Sequence, residues 1–401
     1  MSHKQCVKII YGLLLVFLWG CPQQPLKESP KGTALQRVAA EELPRFDDDM
    51  DIASLKTAIE KSLSFYERIP ADRTYPLGNR EIRVEELKAS LLHFLKLLEK
   101  GPPDAFSIAQ AFEVYKAHSP GSDGNPLVTG YYEPILEGRL ERDEHFCYPL
   151  YELPQDLLTI ELAAFDPDRF SGEQLMGRVK GNRVVPYYTR AEIDGEKKLE
   201  ESGRQLVWLE DPVDVFFLHI QGSGRIKLPG GESRQVGFAG KNGRPYRSIG
   251  KYFIEKGYLP SADVTLQSIR AYLREHPGAR DEILSYNESY VFFRWVKEGP
   301  VGSLSVVLTP GRSIATDVRY HPKGALAFLE TEKPRFDSNE QIVGWEPLNR
   351  WVLNQDTGGA IKGIGRADLF CGSGEAAERV AGRLKHPGKL YFFIKKEETE
   401  R

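Results

Sequence analysis

The sequence is short of cysteine, of net charge and of long apolar runs. Its 401 residues hold 4 Cys and 8 His. There is no C-x-x-C, no H-E-x-x-H and no close His pair, so neither a metal site nor a disulfide-dense scaffold is expected. Basic and acidic residues number 54 and 57, a net charge of −3. No overall basic field draws the chain to nucleic acid, and there is no acidic tail. Only the first residues could enter a bilayer, and no internal repeat or long low-complexity run is present. What remains is ordinary globular material: 41% apolar, 28% charged, 37 Gly and 26 Pro. That excludes a collagen-like or mostly disordered chain and allows a sizeable core spread over roughly two to three domains.

The start of the chain reads as an address. Lys4 and Lys8 precede an apolar run from Ile9 to Trp19 that is too short to span a membrane. A basic region, a short apolar region and Gly20 at the cut give an expected signal peptide over 1–20. Cys21 directly after Gly20 resembles a bacterial lipoprotein box, with Trp19 where a small or β-branched residue is usual. Residues 21–46, with Pro22, Pro25, Pro30 and Gly32 among charges, read as a lipid-anchored tether. Cys147 and Cys371 are left in the body, and their pairing is open.

Two textures follow. Over 47–118 apolar residues recur at spacings of three and four (Ile52, Leu55, Ile59, Leu63, Tyr66; Val84, Leu87, Leu91, Phe94, Leu95, Leu98), which predicts a helical segment. From Leu127, β-branched and aromatic runs alternate with Gly and Pro, as in a barrel or sandwich. Strands are expected at Val128–Tyr132, Tyr148–Leu153, Val184–Thr189, Val213–Ile220, Tyr290–Trp295, Leu304–Leu308 and Leu390–Ile394. One helix is expected around Leu266, Ile269, Tyr272 and Leu273, another from Glu375 to Lys385. The fold class is α+β, mainly β.

The most informative stretch is Asn354-Gln355-Asp356-Thr357-Gly358-Gly359-Ala360-Ile361-Lys362-Gly363-Ile364-Gly365-Arg366-Ala367-Asp368. Two carboxylates flank a glycine-rich connection that also carries Lys362 and Arg366, and glycines let a ligand approach backbone closely. A third carboxylate, Asp317, follows a predicted strand. If these acids converge, repulsion and burial raise one pKa and make a general acid. The same residue types also serve as turn and cap chemistry. A single Asp356-Thr357-Gly358 does not make an aspartic protease, which needs two such loops. Gly222-Ser223-Gly224-Arg225 is not a phosphate loop.

A second feature is aromatic and amide-rich. Thr129-Gly130-Tyr131-Tyr132-Glu133-Pro134 ends one predicted strand, and His219-Ile220-Gln221-Gly222-Ser223-Gly224 another. Tyr131 and Tyr132 could stack on sugar faces, while Gln221 and Ser223 could donate to sugar oxygens. The plainer alternative is a pair of core tyrosines and an ordinary turn. His219 reads as a half-buried strand histidine.

These stretches, with Pro186-Tyr187-Tyr188-Thr189-Arg190, Tyr246-Arg247-Ser248-Ile249-Gly250 and Asn287-Glu288-Ser289-Tyr290-Val291-Phe292-Phe293, resemble the membrane-bound lytic murein transglycosylase A family over about 110–395. The resemblance implies a double-psi β-barrel with helices, 47–136 and 247–396, around a smaller inserted β-barrel, 137–246, with a groove between. It implies cleavage of the β-1,4 bond between N-acetylmuramic acid and N-acetylglucosamine in peptidoglycan, with 1,6-anhydromuramic ends. Asp368 would be the catalytic acid and base, with Asp356 and Asp317 supporting it. Thr129, Tyr131, Tyr132, Gln221, Ser223, Lys362 and Arg366 would bind substrate. No cofactor and no metal are expected. The partners expected are glycan strands and, through Cys21, the periplasmic face of the outer membrane of a Gram-negative cell; a monomer is expected. Two alternatives stand beside it: a non-catalytic peptidoglycan-binding lipoprotein, and an inverting glycoside hydrolase on the same fold.

Overall fold

The computed structural model describes residues 35–119, 124–170 and 172–397. Cys21, the expected signal peptide 1–20 and most of the expected tether 21–46 lie outside the described residues. After β1 (Leu35–Arg37), helix α1 (Ile52–Tyr66) starts at Asp51, whose carboxylate accepts from Ser54 N. A hairpin, β2 (Thr74–Leu77) and β3 (Arg80–Arg83), leads into α2 (Val84–Leu98). Then come α3 (Ala105–Ala111) and β4 (Phe112–Ala117). The two long helices bury much of the predicted stripes, Leu55, Ile59 and Tyr66 on α1, and Leu87, Leu91 and Phe94 on α2. The expected all-helical segment is corrected at two places. Tyr75, Leu77 and Ile82 are buried at strand periodicity around the turn at Gly78, whose φ of 63° favours glycine. Phe112, Val114 and Ala117 fill the core from β4, not from a helix.

The middle of the chain builds small sheets. Its elements run β5 (Leu127–Glu133), β6 (Ile135–Glu137), β7 (Tyr148–Tyr151), β8 (Leu158–Glu161), β9 (Gln174–Lys180), β10 (Arg183–Pro186) and β11 (Gln205–Leu209). They continue through α4 (Pro212–Gln221), β12 (Ser223–Lys227), β13 (Ser233–Lys241), α5 (Ile249–Glu255), α6 (Leu266–Glu275), α7 (Pro277–Ser285) and β14 (Val291–Val296). Strands β14-β13-β12-β6 form one sheet, β10-β9-β8 a second and β11-β7 a third. The expected strand Val213–Ile220 is instead helix α4. An apolar run of this length has no period to decide between the two states, but its ends do. The Asp211 carboxylate accepts from Val213 N, Pro212 opens the first turn, and Gly222 closes the helix at φ 76°. His219 is therefore a buried helix residue, its ring 4.3 Å from that of Tyr290 and 5.4 Å from that of Phe293. The expected strand Leu304–Leu308 is a turn with one bridge, Val301 to Val307.

The C-terminal part supplies β15 (Ser313–Thr316), β16 (Leu326–Phe336), β17 (Ile342–Asp356), β18 (Arg366–Ser373), α8 (Gly374–Ala381), β19 (Lys385–Pro387) and β20 (Lys389–Lys395). They join strands from the other end of the chain in a nine-stranded sheet, β1-β4-β20-β16-β17-β15-β18-β5-β19. Helices α1 and α2 pack on it, α2 through an aromatic cluster. Trp351 lies 4.5 Å from Phe94 and 4.7 Å from Phe393, with Phe46 and Phe328 at about the same range. Each such pair adds about 0.5–1.5 kcal/mol beyond its buried area. Arg312, fully buried, binds Asp48 at 2.7 Å and the carbonyls of Trp351 and Asp51. It ties the entry to α1 against the start of β15. The fold is mixed α and β with more strand than helix. Among the described residues no helix is long and apolar enough to cross a membrane.

Candidate active site

The site grows from one row of the large sheet. Ala315 of β15 pairs with Asp356 of β17 on one side and Asp368 of β18 on the other, and Asp368 pairs with Thr129 of β5. Residues opposite one another on neighbouring strands share a face. Asp356 and Asp368 therefore flank the small Ala315 methyl, their backbones about 10 Å apart at ordinary strand spacing. Gly130 lets α8 lie against β5 here. A Cβ at this glycine would sit 2.8 Å from the Ala381 backbone.

The two acids are held differently. Asp356 Oδ1 accepts from Ser303 N at 2.9 Å and Thr357 N at 2.8 Å, and its Oδ2 accepts from Tyr131 Oη at 3.0 Å. Burial still pushes its pKa above the usual carboxylate range. Asp368 has its partners on Oδ1 alone. The Thr129 hydroxyl donates to it, and Arg366 Nη2 lies 3.4 Å from it and donates to Thr129 Oγ1 at 3.0 Å. Burial raises the pKa of Asp368 to about 6, against the lowering pull of Arg366 and with help from the charge of Asp356. A carboxyl with that pKa can serve as a general acid near neutral pH.

Asp317 does not join this pair. It accepts from Arg319 Nη2 at 2.5 Å and from Gly363 N at 2.8 Å, and these donors hold its pKa below the usual value despite burial. It pins the glycine-rich connection between β17 and β18 at Gly363, whose φ is 83°. Asp317 thereby anchors the loop that joins the strands of the other two acids.

The other predicted residues separate. Tyr131 is half-buried beside Phe370 and bonded to Asp356. Tyr132, 1% exposed, is packed with Ala377 and Ala381, so its ring has no face for a sugar. That expectation is corrected: as β5 alternates, Tyr132 falls on the opposite side from Tyr131. Gln221, at the end of α4, spends its carbonyl on Tyr132 N at 3.0 Å, and Ser223 is buried at the start of β12. Lys362 is exposed on the connection, and Arg366 reaches Thr129 and Asp368. Cys147 and Cys371 are free thiols. Among the described residues no group of three or more His, Cys, Asp or Glu is placed to hold a metal ion.

Four positioning residues escape the sequence reading. Gln355 donates to Ala58 O at 2.7 Å and accepts from Ser313 Oγ at 2.6 Å; Asn354 accepts from Thr316 Oγ1 and donates to Pro322 O. These buried amides lock the end of β17, and hence Asp356, to α1 and β15. Tyr246 is half-buried, close enough to Arg366 and Asp368 for their charges to act on its phenol. Glu133, at the end of the β5 strand that carries Thr129, accepts from Ser373 Oγ at 2.6 Å. The available signal was polar residues directly flanking the acids and the Thr-Gly-Tyr-Tyr run.

Known proteins resemble this chain in sequence and fold. Residues 127–294 match the MltA specific insert domain, and residues 312–394 match the 3D domain. Membrane-bound lytic murein transglycosylase A of Vibrio cholerae is 32% identical over 300 residues, 74% of this chain and 72% of its own. The protein of that name from Escherichia coli K12 is 34% identical over 271 residues, 67% of this chain and 65% of its own. The crystal structure of a membrane-bound lytic murein transglycosylase from Agrobacterium tumefaciens superposes with a TM-score of 0.74 at 29% identity, covering 90% of this chain and 97% of that one. The resemblance read from the motifs is borne out, and the chain belongs to the membrane-bound lytic murein transglycosylase A family.

Proposed function

We propose that this chain cleaves the β-1,4 bond between N-acetylmuramic acid and N-acetylglucosamine without water, leaving 1,6-anhydromuramic ends. As a member of its family the protein is a peptidoglycan lytic transglycosylase. The observation that carries the finer reading is the asymmetry of the two acids. Asp356 is held by three donors, two on Oδ1 and one on Oδ2, which engages most of its acceptor capacity in fixing its orientation. Asp368 has Oδ1 occupied and a pKa near neutrality, about 6, which leaves Oδ2 to carry the proton.

A hydrolase needs two carboxyls with separate tasks; a single acid suffices when the nucleophile belongs to the substrate. Protonated Asp368 gives its proton to the bridging oxygen. As that bond breaks, the muramic ring gains oxocarbenium character. The carboxylate then takes the proton of the C6 hydroxyl while O6 attacks C1. Well-oriented intramolecular attack reaches effective molarities of about 10⁵–10⁸ M, so ring closure outruns water. Thr129 and Arg366 orient the acid, Asp356 keeps its pKa high, and Asp317 holds the connection that carries Lys362. Digestion of sacculi in ¹⁸O water tests this. Unlabelled products one water lighter than reducing ends are expected, and labelled reducing sugars overturn it in favour of an inverting hydrolase.

In the same reading the nine-stranded sheet and its helices are the double-psi β-barrel body, 47–136 and 247–396. Residues 137–246 are the inserted barrel, with β14 joining its sheet from outside that range. Cys21 carries the lipid and anchors the protein at the outer membrane. A Cys21→Ser chain is expected in the soluble periplasmic fraction; retention in the membrane makes the apolar run itself the anchor.

A further inference from the structure

The sheet β6–β12–β13–β14 has a face turned away from its apolar core. Register brings Ser223, Arg225, Gln235, Gly237, Arg294 and Val296 together on it. Beside this face the segment Lys297–Gly299 helps enclose a cleft of about 490 Å³, walled also by Arg225, Arg234 and Trp295.

Two connections tie the cleft to the acid row. Glu133, 0% exposed, accepts from Ser373 Oγ and from Gln235 Nε2 at 3.2 Å, and holds Arg225 Nη2 at 3.5 Å. Thr129 lies four residues earlier on the same strand, about 13 Å away at the rise of a β-strand. On the other side Gln235 Nε2 donates to Gly299 O at 3.0 Å, and four residues further on Ser303 N binds Asp356.

The charges in the cleft do not cancel. Arg234 is paired with Glu232 at 2.6 Å and lies over the Trp295 ring. Glu298 acts on Lys61 of α1. Arg225 is only partly engaged by Glu133, and its Nε is buried with no partner. Among the described residues Lys297 and Arg294 form no ion pair. A lysine left unpaired beside Val296, with the partly engaged Arg225 on the same face, suits a carboxylate carried on an apolar or aliphatic stem.

We propose that this cleft receives the acidic peptide branch of the substrate, with Lys297 and Arg225 meeting a peptide carboxylate and Val296 meeting its aliphatic part. This rests on the reading that the substrate is peptidoglycan. It makes the protein a reader of side branches as well as of sugars.

The test compares kcat/KM of the full chain on two probes: purified glycan strands bearing their acidic tetrapeptides, and the same strands stripped of peptide. The wild type is expected to favour the peptide-bearing strands. Lys297→Glu, an exposed change, is expected to lower the ratio of the two values about tenfold, the size of one lost charge-assisted contact. Amidation of the peptide carboxylates is expected to lower the wild-type ratio likewise, and so is raised salt. A ratio untouched by both the substitution and the amidation overturns the proposal. A wild type that cleaves neither probe overturns the peptidoglycan reading itself, and this proposal with it.

Discussion

Asp356 and Asp368 stand in register with one shared residue, Ala315, each from the strand on its own side. The small methyl between them lets each carboxylate feel the other's charge, while their hydrogen-bond partners set them different tasks. Two backbone N–H groups and a phenol fix Asp356; a hydroxyl and a guanidinium hold one oxygen of Asp368.

Asp368→Asn is expected to lose about 10²–10⁴ in rate, the contribution of a positioned proton donor. It should also stabilise the fold at neutral pH. The folded pKa of about 6 lies above the usual 3.8, so the folded chain binds this proton more tightly than the unfolded one. The stability that binding supplies is complete at low pH and is lost as pH rises through 6, a cost on the order of 1–3 kcal/mol that Asn does not carry. Melting at pH 7.5 and pH 4.5 checks this. A gain is expected at 7.5 and a smaller one at 4.5; a variant less stable at 7.5 counts against the assignment.

The rate should fall as pH rises through about 6, where Asp368 ionises. Arg366 holds that pKa down, so Arg366→Gln should move the falling limb to higher pH as well as slow turnover. Thr129→Val keeps the shape of the side chain and removes the donor to Asp368, and should shift the limb the same way. Initial-rate profiles of the three proteins decide it; superimposable limbs refute the role given to these partners.

Tyr131 and Tyr132 should part company. Tyr131→Phe removes the bond to Asp356, worth about 1 kcal/mol, and should lower kcat several-fold with the melting temperature nearly unchanged. Tyr132→Ala opens the core under α8 and should cost about 3–5 kcal/mol. Tyr132→Phe should bind glycan oligomers as the wild type does, and a marked loss of affinity in that folded variant would restore its ring to the groove.

His219 predicts an acid limit to stability. Burial holds its pKa well below 6.5, chiefly by desolvation and then by the charge of Arg190, and neither ring nitrogen has a partner. A depressed histidine stabilises the fold fully above its unfolded pKa and less as pH falls below about 6.5. His219→Phe should therefore stabilise the protein more at pH 5 than at pH 8. His321, with a folded pKa of about 4, should leave the variant with a residual loss over the same range. Equal shifts at both pH values would assign the effect to packing alone.

The helices α1, α2 and α6 were legible because an amphipathic stripe repeats along them. Strand β5 was legible from its β-branched and aromatic run. Helix α4 was not, because Val213–Ile220 is apolar all round, and its identity lay in Asp211, Pro212 and Gly222 at its ends. The long pair β16 and β17 carries no turn signal beyond Asp337-Ser338-Asn339, so nothing marked its extent. For the acids, spacing along the chain put Asp356 and Asp368 on one connection, but their placement astride Ala315 is a matter of register between strands. Asp317 looked like their equal in sequence and differs because Arg319 lies two residues away and claims it. Tyr132 and Tyr131 were indistinguishable in composition, and only the side of the strand separates them.

The Thr129 hydroxyl and the carboxylate it holds are separated by 239 positions along the chain. Strand β5 is made early and β18 near the end, and they are direct neighbours in the sheet. The hydroxyl that aims the acid therefore waits through most of translation for the acid to arrive. On the proposed mechanism, a chain interrupted anywhere between them lacks the acid and cannot cut glycan. An enzyme that cuts the wall around its own cell thus comes with a delay built into the order in which its residues are made.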